Sequence, residues 1–446
     1  MSDNLKLLRY NTGTDKKVLI KFKDSFSAVI FNATIVAYSK SAVADLVAVH
    51  KNRYIIDPQT HIYQQDITAV QATNKQGIVS VKKSVDQYLS ELPSELKSKF
   101  YSKKGNLLPD DIKDAVDKLI EGVYSFETSY VDKYIKNKEY DKYLKYAKIG
   151  PSPAVVIAPY FMIKSSYSEK EINDWMDLNA LCAQRFISLN SINGKYDTGI
   201  QIVIDKRILD NKTFANKIKE YYKNSIANYA FIWVDDFNLF EATKTQQEQF
   251  KSILVALTEL GIKPVMAYGG YDSIILCNED LPYRMYGVAQ SVGYGETRPV
   301  TPVGGGLPVN KYYFPPLHAR LSLSEVTSIL SSKGYFSKDK AVASEDFYQH
   351  ICSCKQCRDI IGKNIDNFRK YNESSDYTMR NGIKRNRPTT DASLIAAMHF
   401  MFSKIDEWND VESKSFDILK NDLLKGYSEY CPALSNHMQD WCSIYG

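Results

Sequence analysis

Through the middle of the chain, short apolar runs alternate with longer amphipathic stretches, a rhythm that predicts strands separated by helices. Candidate strands are Ser27–Ala37, Tyr54–Tyr63, Ala154–Lys164, Gly199–Leu209, Tyr229–Asn238, Pro264–Gly270, Gly287–Glu296 and Lys311–Leu317. The intervening stretches repeat at helical spacing. Phe250, Ile253, Leu254, Leu257 and Leu260 make one apolar face, and Gly261 is placed to stop that helix. Eight strands with helices between them predict an α/β fold, a (β/α)8 TIM-type barrel, with its active site at the strands' C-terminal ends.

The barrel is assigned to residues 18–330. Residues 80–150, between the second and third predicted strands, read as a Lys- and Tyr-rich helical insertion. That insertion is either a solvated flap or a surface where lysines meet phosphates and tyrosines stack on bases. Beyond 330 the pattern turns helical, and residues 331–446 are assigned to a second, metal-binding helical module.

The composition is that of an ordinary globular protein, with 44% hydrophobic and 24% charged residues in 446. No apolar run has the length of a membrane span and the N-terminus lacks a signal-peptide core, so a cytoplasmic location is expected. The net charge of +5 leans only slightly towards anionic partners. Cysteine usage says more. Of seven cysteines, three fall within six residues, a distribution that favours a metal site in a reducing compartment over a disulfide framework.

In HICSCKQC, the spacing of Cys352, Cys354 and Cys357 lets three thiolates converge on one ion, and soft sulfur suits zinc. A closed tetrahedral site needs a fourth ligand. His399, in the apolar helical segment LIAAMHFMF, is the leading candidate, with His350, Cys431 and Cys442 as alternatives. Such a Zn2+ folds a module and does no chemistry, because no coordination position is left for substrate.

A barrel followed by C-x-C-x-x-C and a distant helical histidine resembles the tRNA-guanine transglycosylase superfamily, which includes relatives that insert 7-deazaguanine into DNA. The resemblance runs over roughly residues 25–405. It includes VMAYGGYDSIIL (Val265 to Leu276) and GYGETR, whose Thr297 and Arg298 match a Thr-Arg pair after the family's seventh strand. It implies a pentosyltransferase that exchanges guanine or a 7-deazaguanine in tRNA or DNA. Asp57 falls where the family has an aspartate for proton transfer, though Gln59 and Thr60 replace the two glycines that follow it. Val292 falls at the family's nucleophilic aspartate, and valine cannot attack an anomeric carbon. Asp205 falls where the family reads the base with glutamine, and Asp235 and Asp236 fall at its glycine-rich loop.

Carboxylates directly after apolar strands are well placed for chemistry in a barrel. Asp57 with Asp235 or Asp236 is the expected catalytic set. Asp205, His61, Glu296 and Arg298 are the expected substrate contacts, with Arg298 suited to a phosphate or ribose oxygen. The basic stretch Arg380, Lys384, Arg385 and Arg387 is either a solvated loop or a phosphate-contacting surface. Three functions follow: a base-exchanging enzyme on nucleic acid with a relocated nucleophile, a non-catalytic nucleic-acid-binding subunit working with a protein partner or as a dimer, or a nucleoside glycosidase.

Overall fold

The computed structural model describes residues 3–10, 13–50, 53–74, 76–134, 142, 146, 151–194, 196–292, 296–301, 309–378 and 382–446. Eight parallel strands make one sheet: β1 (Leu5–Tyr10), β2 (Ala28–Asn32), β3 (Tyr54–Asp57), β4 (Val155–Ile157), β5 (Asp197–Asp205), β6 (Tyr229–Asp235), β7 (Lys263–Met266) and β8 (Gly287–Ser291). Their order is β3-β2-β1-β8-β7-β6-β5-β4. The two free edges meet where Tyr54 bridges Pro153, with Ala154 N donating to the Tyr54 carbonyl at 2.7 Å. The sheet thus curls back on itself as a TIM-like barrel.

Side chains divide with the period of two that a pleated strand imposes. Leu7, Ile30, Ile55, Val203, Phe231 and Val265 fill the barrel interior. Their neighbours Leu8, Val29, Ile56, Ile202, Ile232 and Met266 face the surrounding helices. Gly199 makes room inside, since a Cβ there would lie 2.9 Å from the Phe231 ring. The helix Lys244–Glu259 buries the predicted apolar face against this outer layer, and Gly261 follows it at φ +75°. At the start of that helix, Thr243 and Gln246 form a reciprocal capping box.

The strand frame differs from the predicted one at both ends. Leu5–Tyr10, which the hydropathy pattern did not single out, is the first barrel strand. Lys311–Phe314 is not in the barrel; it pairs antiparallel with Ala319–Ser322. The run beginning at Tyr54 is therefore the third strand, and the run beginning at Gly287 is the eighth. Several runs also stop early as strands. After Asn32 the chain turns into the helix Ala33–Tyr38, and after Asp57 into the 3-10 turn Thr60–Gln64.

The helices of the insertion, Lys83–Leu89, Ser94–Ser102, Pro109–Lys113 and Val116–Lys133, pack into the core through Tyr88, Leu96, Phe100, Phe126 and Tyr130. Tyr88 is thus inside and not on a base-stacking surface, while Tyr101 donates to Asp86 at 2.7 Å. Most of 135–150 lies outside the described residues. The C-terminal segments are not purely helical either. Two antiparallel hairpins lie beside the long helix Thr390–Ser413, one before residue 331 (Lys311–Phe314 with Ala319–Ser322) and a second after it (Ser374–Thr378 with Lys384–Pro388). That helix lies along the barrel, with Phe402 edge-on to Phe22 at 4.9 Å and the Val411 carbonyl accepting from Asn278. No helix among the described residues is long and apolar enough to cross a membrane.

Candidate active site and metal centre

Inward-facing positions at the C-terminal ends of β1, β2 and β3 carry Arg9, Asn32 and Asp57, all buried. The Arg9 guanidinium bonds Asp57 Oδ2 at 3.0 Å, Asn32 Oδ1 at 3.3 Å and the Ala267 carbonyl at 2.6 Å. It also lies 3.9 Å from the centre of the Tyr268 ring. These contacts offset the cost of burying the ion pair, which a bare Coulomb attraction would not.

The other oxygen of Asp57 accepts the Tyr160 hydroxyl at 2.6 Å, and that hydroxyl is 3.2 Å from His61 Nδ1. A phenol has one proton, and here it goes to the carboxylate. His61 Nδ1 must then be the donor to the Tyr160 oxygen, which leaves Nε2 with a free lone pair. Burial lowers the His61 pKa to about 4 even with Asp57 close by, so the imidazole is neutral at pH 7. Burial, with Asp57 adjacent, pushes the Tyr160 phenol well up.

The turn after Asp57 is built without glycine. Gln59 sits in the left-handed region at φ 47°, where an L side chain is disfavoured. Its amide oxygen is held by Thr34 Oγ1 at 2.8 Å. Thr60 grips the Tyr160 main chain, donating to its carbonyl at 2.6 Å and accepting from its N–H at 2.8 Å.

His61 stands between two cavities at the barrel mouth. One, of about 160 Å³, is lined by Asn32, Gln59, His61, Trp233, Arg298 and Val300. The other, of about 240 Å³, is lined by His61, Gln65, Asp66, Met162, Lys164 and Thr301. Trp233, which lines the first cavity, meets His61 edge-on at 5.5 Å and packs on the buried Tyr268 ring at 4.7 Å. The segment after β8 crosses this mouth. The Arg298 carbonyl accepts from Trp233 Nε1 at 3.0 Å, and the Arg298 guanidinium lies 5.5 Å from the Tyr268 ring centre.

The expected carboxylates are engaged unequally. Asp205 and Asp235 are register partners at the ends of β5 and β6. Asp235 is half-buried, accepts Val300 N at 2.6 Å and has its pKa raised by burial. Asp236 is exposed at φ 44°. Asp205 caps the following turn and pairs with Arg207 at 3.1 Å and Ser165 at 2.7 Å. Burial raises its pKa, but Arg207 and Ser165 outweigh this and leave it below the ordinary value. Glu296 pairs with Lys404 at 3.1 Å. Val292 is buried, and its carbonyl accepts from Arg320 at 2.9 Å. Lys384, Arg385 and Arg387 lie on the second hairpin of the C-terminal segments, and Arg380 lies outside the described residues.

Cys352, Cys354, Cys357 and His399 come together as a buried cluster whose ligand atoms all lie within 4.8 Å of one another, a set that can hold a metal ion. Cys354 caps the short helix Lys355–Ile361, which turns the Cys357 thiol towards the same point. His399 Nδ1 is 3.4 Å from the sulfurs of Cys354 and Cys357 and 3.8 Å from that of Cys352. Its Nε2 is 2.7 Å from the Tyr313 carbonyl. A carbonyl only accepts, so Nε2 carries the proton and Nδ1 offers its lone pair to the sulfurs, the tautomer a metal ligand needs. Tyr312 stacks on the imidazole at 4.2 Å, and Tyr312 and Tyr371 each place a hydroxyl within 3.3 Å of Cys357 Sγ. Of the alternatives for a fourth ligand, His350 instead contacts the Asp346 carbonyl at 2.9 Å.

A buried ionic network joins this cluster to the mouth. Lys404, fully buried, pairs with Glu296 and with Glu407 at 2.9 Å, and donates to the Tyr313 hydroxyl at 2.7 Å. His318 Nδ1 meets Glu407 at 2.7 Å and stacks on Tyr271 at 3.5 Å.

The sequence pattern missed Arg9, Lys404 and the tyrosines of both sites. For Arg9 the signal was LKLLRY, a short apolar run ending in a charge; Tyr160 lay inside the predicted strand Ala154–Lys164 with nothing to mark it as a site residue. No protein-family model matches the chain, and no curated protein matches it in sequence.

Proposed function

We propose that the chain is a base-exchanging enzyme of the transglycosylase type that acts on nucleic acid at the barrel mouth. The reading is carried by the buried chain Arg9–Asp57–Tyr160–His61, which ends in a neutral imidazole at an aromatic-walled cavity. That is what acid–base work on a flat heterocycle requires. His61 Nε2 can accept the ring proton of an entering base, and the resulting imidazolium is stabilised through Tyr160 by the Asp57 charge. Trp233 offers a face for the base, and Arg298 a donor for a ribose or phosphate oxygen. Asp235, whose raised pKa marks a partly desolvated carboxylate, is the group for the developing positive charge on the sugar.

The Cys352–Cys354–Cys357–His399 cluster takes zinc in this reading. Bonds of about 2.3 Å to sulfur and 2.0–2.1 Å to nitrogen imply N···S edges of about 3.5 Å in a tetrahedron. The 3.4, 3.4 and 3.8 Å separations fit that size. With four protein ligands the ion would hold the fold and leave the chemistry to the mouth.

A second reading, a nucleic-acid-binding subunit without turnover, is favoured by Val292 at the position where the resemblance expects the nucleophile. Purified protein incubated with labelled guanine or 7-deazaguanine, and with tRNA or duplex DNA, separates the two. Label entering the polymer supports exchange. Release of unlabelled base without incorporation supports glycosidase chemistry instead. Binding without either outcome leaves only the subunit role.

A further inference from the structure

Between the third thiolate and His399 the chain leaves the core as a two-stranded antiparallel ribbon, Ser374–Thr378 paired with Lys384–Pro388. Among its described residues only Tyr377 and Pro388 are partly covered; Ser374, Ser375, Asp376, Thr378, Lys384, Arg385, Asn386 and Arg387 are exposed. A lone hairpin with both faces in water is marginally stable. This one is held at its base. Thr389 N donates to the Glu373 carbonyl at 2.9 Å. Tyr371, at the end of the preceding turn, touches Cys357 Sγ, and Thr389 caps the helix that carries His399. The cysteine–histidine cluster therefore clamps both feet of the ribbon.

The ribbon's charge is organised by register. Ser375 faces Arg387 and Tyr377 faces Arg385, so both arginines and the tyrosine share one face. Arg387 lies over the Tyr377 ring at 4.9 Å. Lys384 and Arg385 form no ion pair among the described residues, so the positive charge is not used internally. Arg385 and Arg387 are separated along the strand by about 6.8 Å. That is two base-pair steps of about 3.4 Å along one strand of duplex DNA. The major groove of B-form DNA, about 12 Å wide, admits a two-stranded ribbon. The major groove of A-form RNA is too narrow for side chains to read.

Deepening the nucleic-acid reading above, on which it rests for the reaction alone, we propose that this ribbon docks in the major groove of B-form duplex DNA. Arg385, Arg387 and Lys384 hold phosphates and groove edges there, and the metal-clamped base fixes the ribbon's angle.

The test is fluorescence anisotropy with a labelled 24-base-pair DNA duplex, the matching RNA duplex and the single DNA strand, over a salt series. Two variants are compared with the wild type: Arg385→Glu with Arg387→Glu, and replacement of 374–388 by a short Gly-Ser linker. The linker is sterically reasonable because Glu373 and Thr389 are already hydrogen-bonded. The wild type is expected to prefer the DNA duplex. Both variants should keep their metal content yet bind the duplex at least about tenfold more weakly, and the charge-reversed variant should lower the salt slope by about 2. Equal duplex binding by wild type and variants overturns the proposal. So does equal or tighter binding of the RNA duplex or single strand, or no duplex binding by the wild type. Tyr160→Phe, which deletes only a hydroxyl at the mouth, should bind the duplex normally. A failure of base exchange alone therefore counts against the mouth chemistry and not against the ribbon.

Discussion

Tyr313 and His399 are joined at 2.7 Å, main-chain carbonyl to imidazole Nε2, and the phenol of the same tyrosine accepts a hydrogen bond from Lys404. One residue thereby belongs both to the cluster and to the ionic network that reaches Glu296 beside the barrel mouth. Contacts thus run without a break from the cluster through Tyr313 and Lys404 to Glu296, two residues before Arg298.

Metal content is the first consequence. Freshly prepared protein should contain about one zinc per chain by elemental analysis. Cys357→Ser should lose it and be destabilised by at least ~3 kcal/mol, since ligand loss removes folding free energy. Thermal unfolding with and without a chelator measures the same quantity. Metal-free protein of unchanged Tm would contradict the assignment.

Lys404→Met should cost about 3–5 kcal/mol, because it removes the buried cation that pairs with both Glu296 and Glu407 and leaves Glu407 with only His318 and the Tyr313 hydroxyl. Burial pushes the Glu407 carboxyl up, yet Lys404, His318 and Tyr313 together bring it below its ordinary value. Its stabilising contribution is thus present above the unfolded pKa of 4.5 and is lost as pH falls through the lower folded value. Adding Glu407→Gln to Lys404→Met should recover part of the loss, as urea titration would show.

Stability should also rise with pH between about 4 and 6.5 because of His61. Its folded pKa of about 4 lies below the ordinary imidazole value of 6.5, so the unfolded chain binds the extra proton in that window. The contribution is complete above pH 6.5 and lost as pH falls to 4, a swing of up to ~3 kcal/mol. His61→Gln should flatten that part of the profile. An unchanged slope would mean the imidazole is not buried and neutral.

Arg9→Met should destabilise by about 3–5 kcal/mol, as expected for a buried charge losing its partner. Combining it with Asp57→Asn should cost less than the sum of the two single changes, because they act on one pair. Additive losses in a double-mutant cycle would show that the ion pair is not the main contact of either residue.

The short apolar runs of β2 to β8 and the helical repeat ending at Gly261 were legible because burial leaves a pattern in hydropathy. The cysteine cluster was legible as a site that could hold a metal ion because three thiols in six residues have few other uses. What escaped was set by tertiary contact. LKLLRY is too short to stand out, and its Arg9 is buried only because Asn32, Asp57 and the Ala267 carbonyl meet it inside the barrel. The Lys311 run has the apolar character of a barrel strand, but its pairing with Ala319–Ser322 is decided by the turn that follows it. Carboxylates at strand ends looked alike in sequence. Only the structure separates Asp205, tied to Arg207 and Ser165, from Asp57, tied to Arg9 and Tyr160.

The relay at the mouth is tested most directly by the rate of base incorporation in Tyr160→Phe beside the wild type, at equal zinc content. That change deletes only the hydroxyl between Asp57 and His61. A fall of about 100-fold or more is predicted, within the range for general acid–base groups. Equal rates would contradict a proton path through Asp57, Tyr160 and His61.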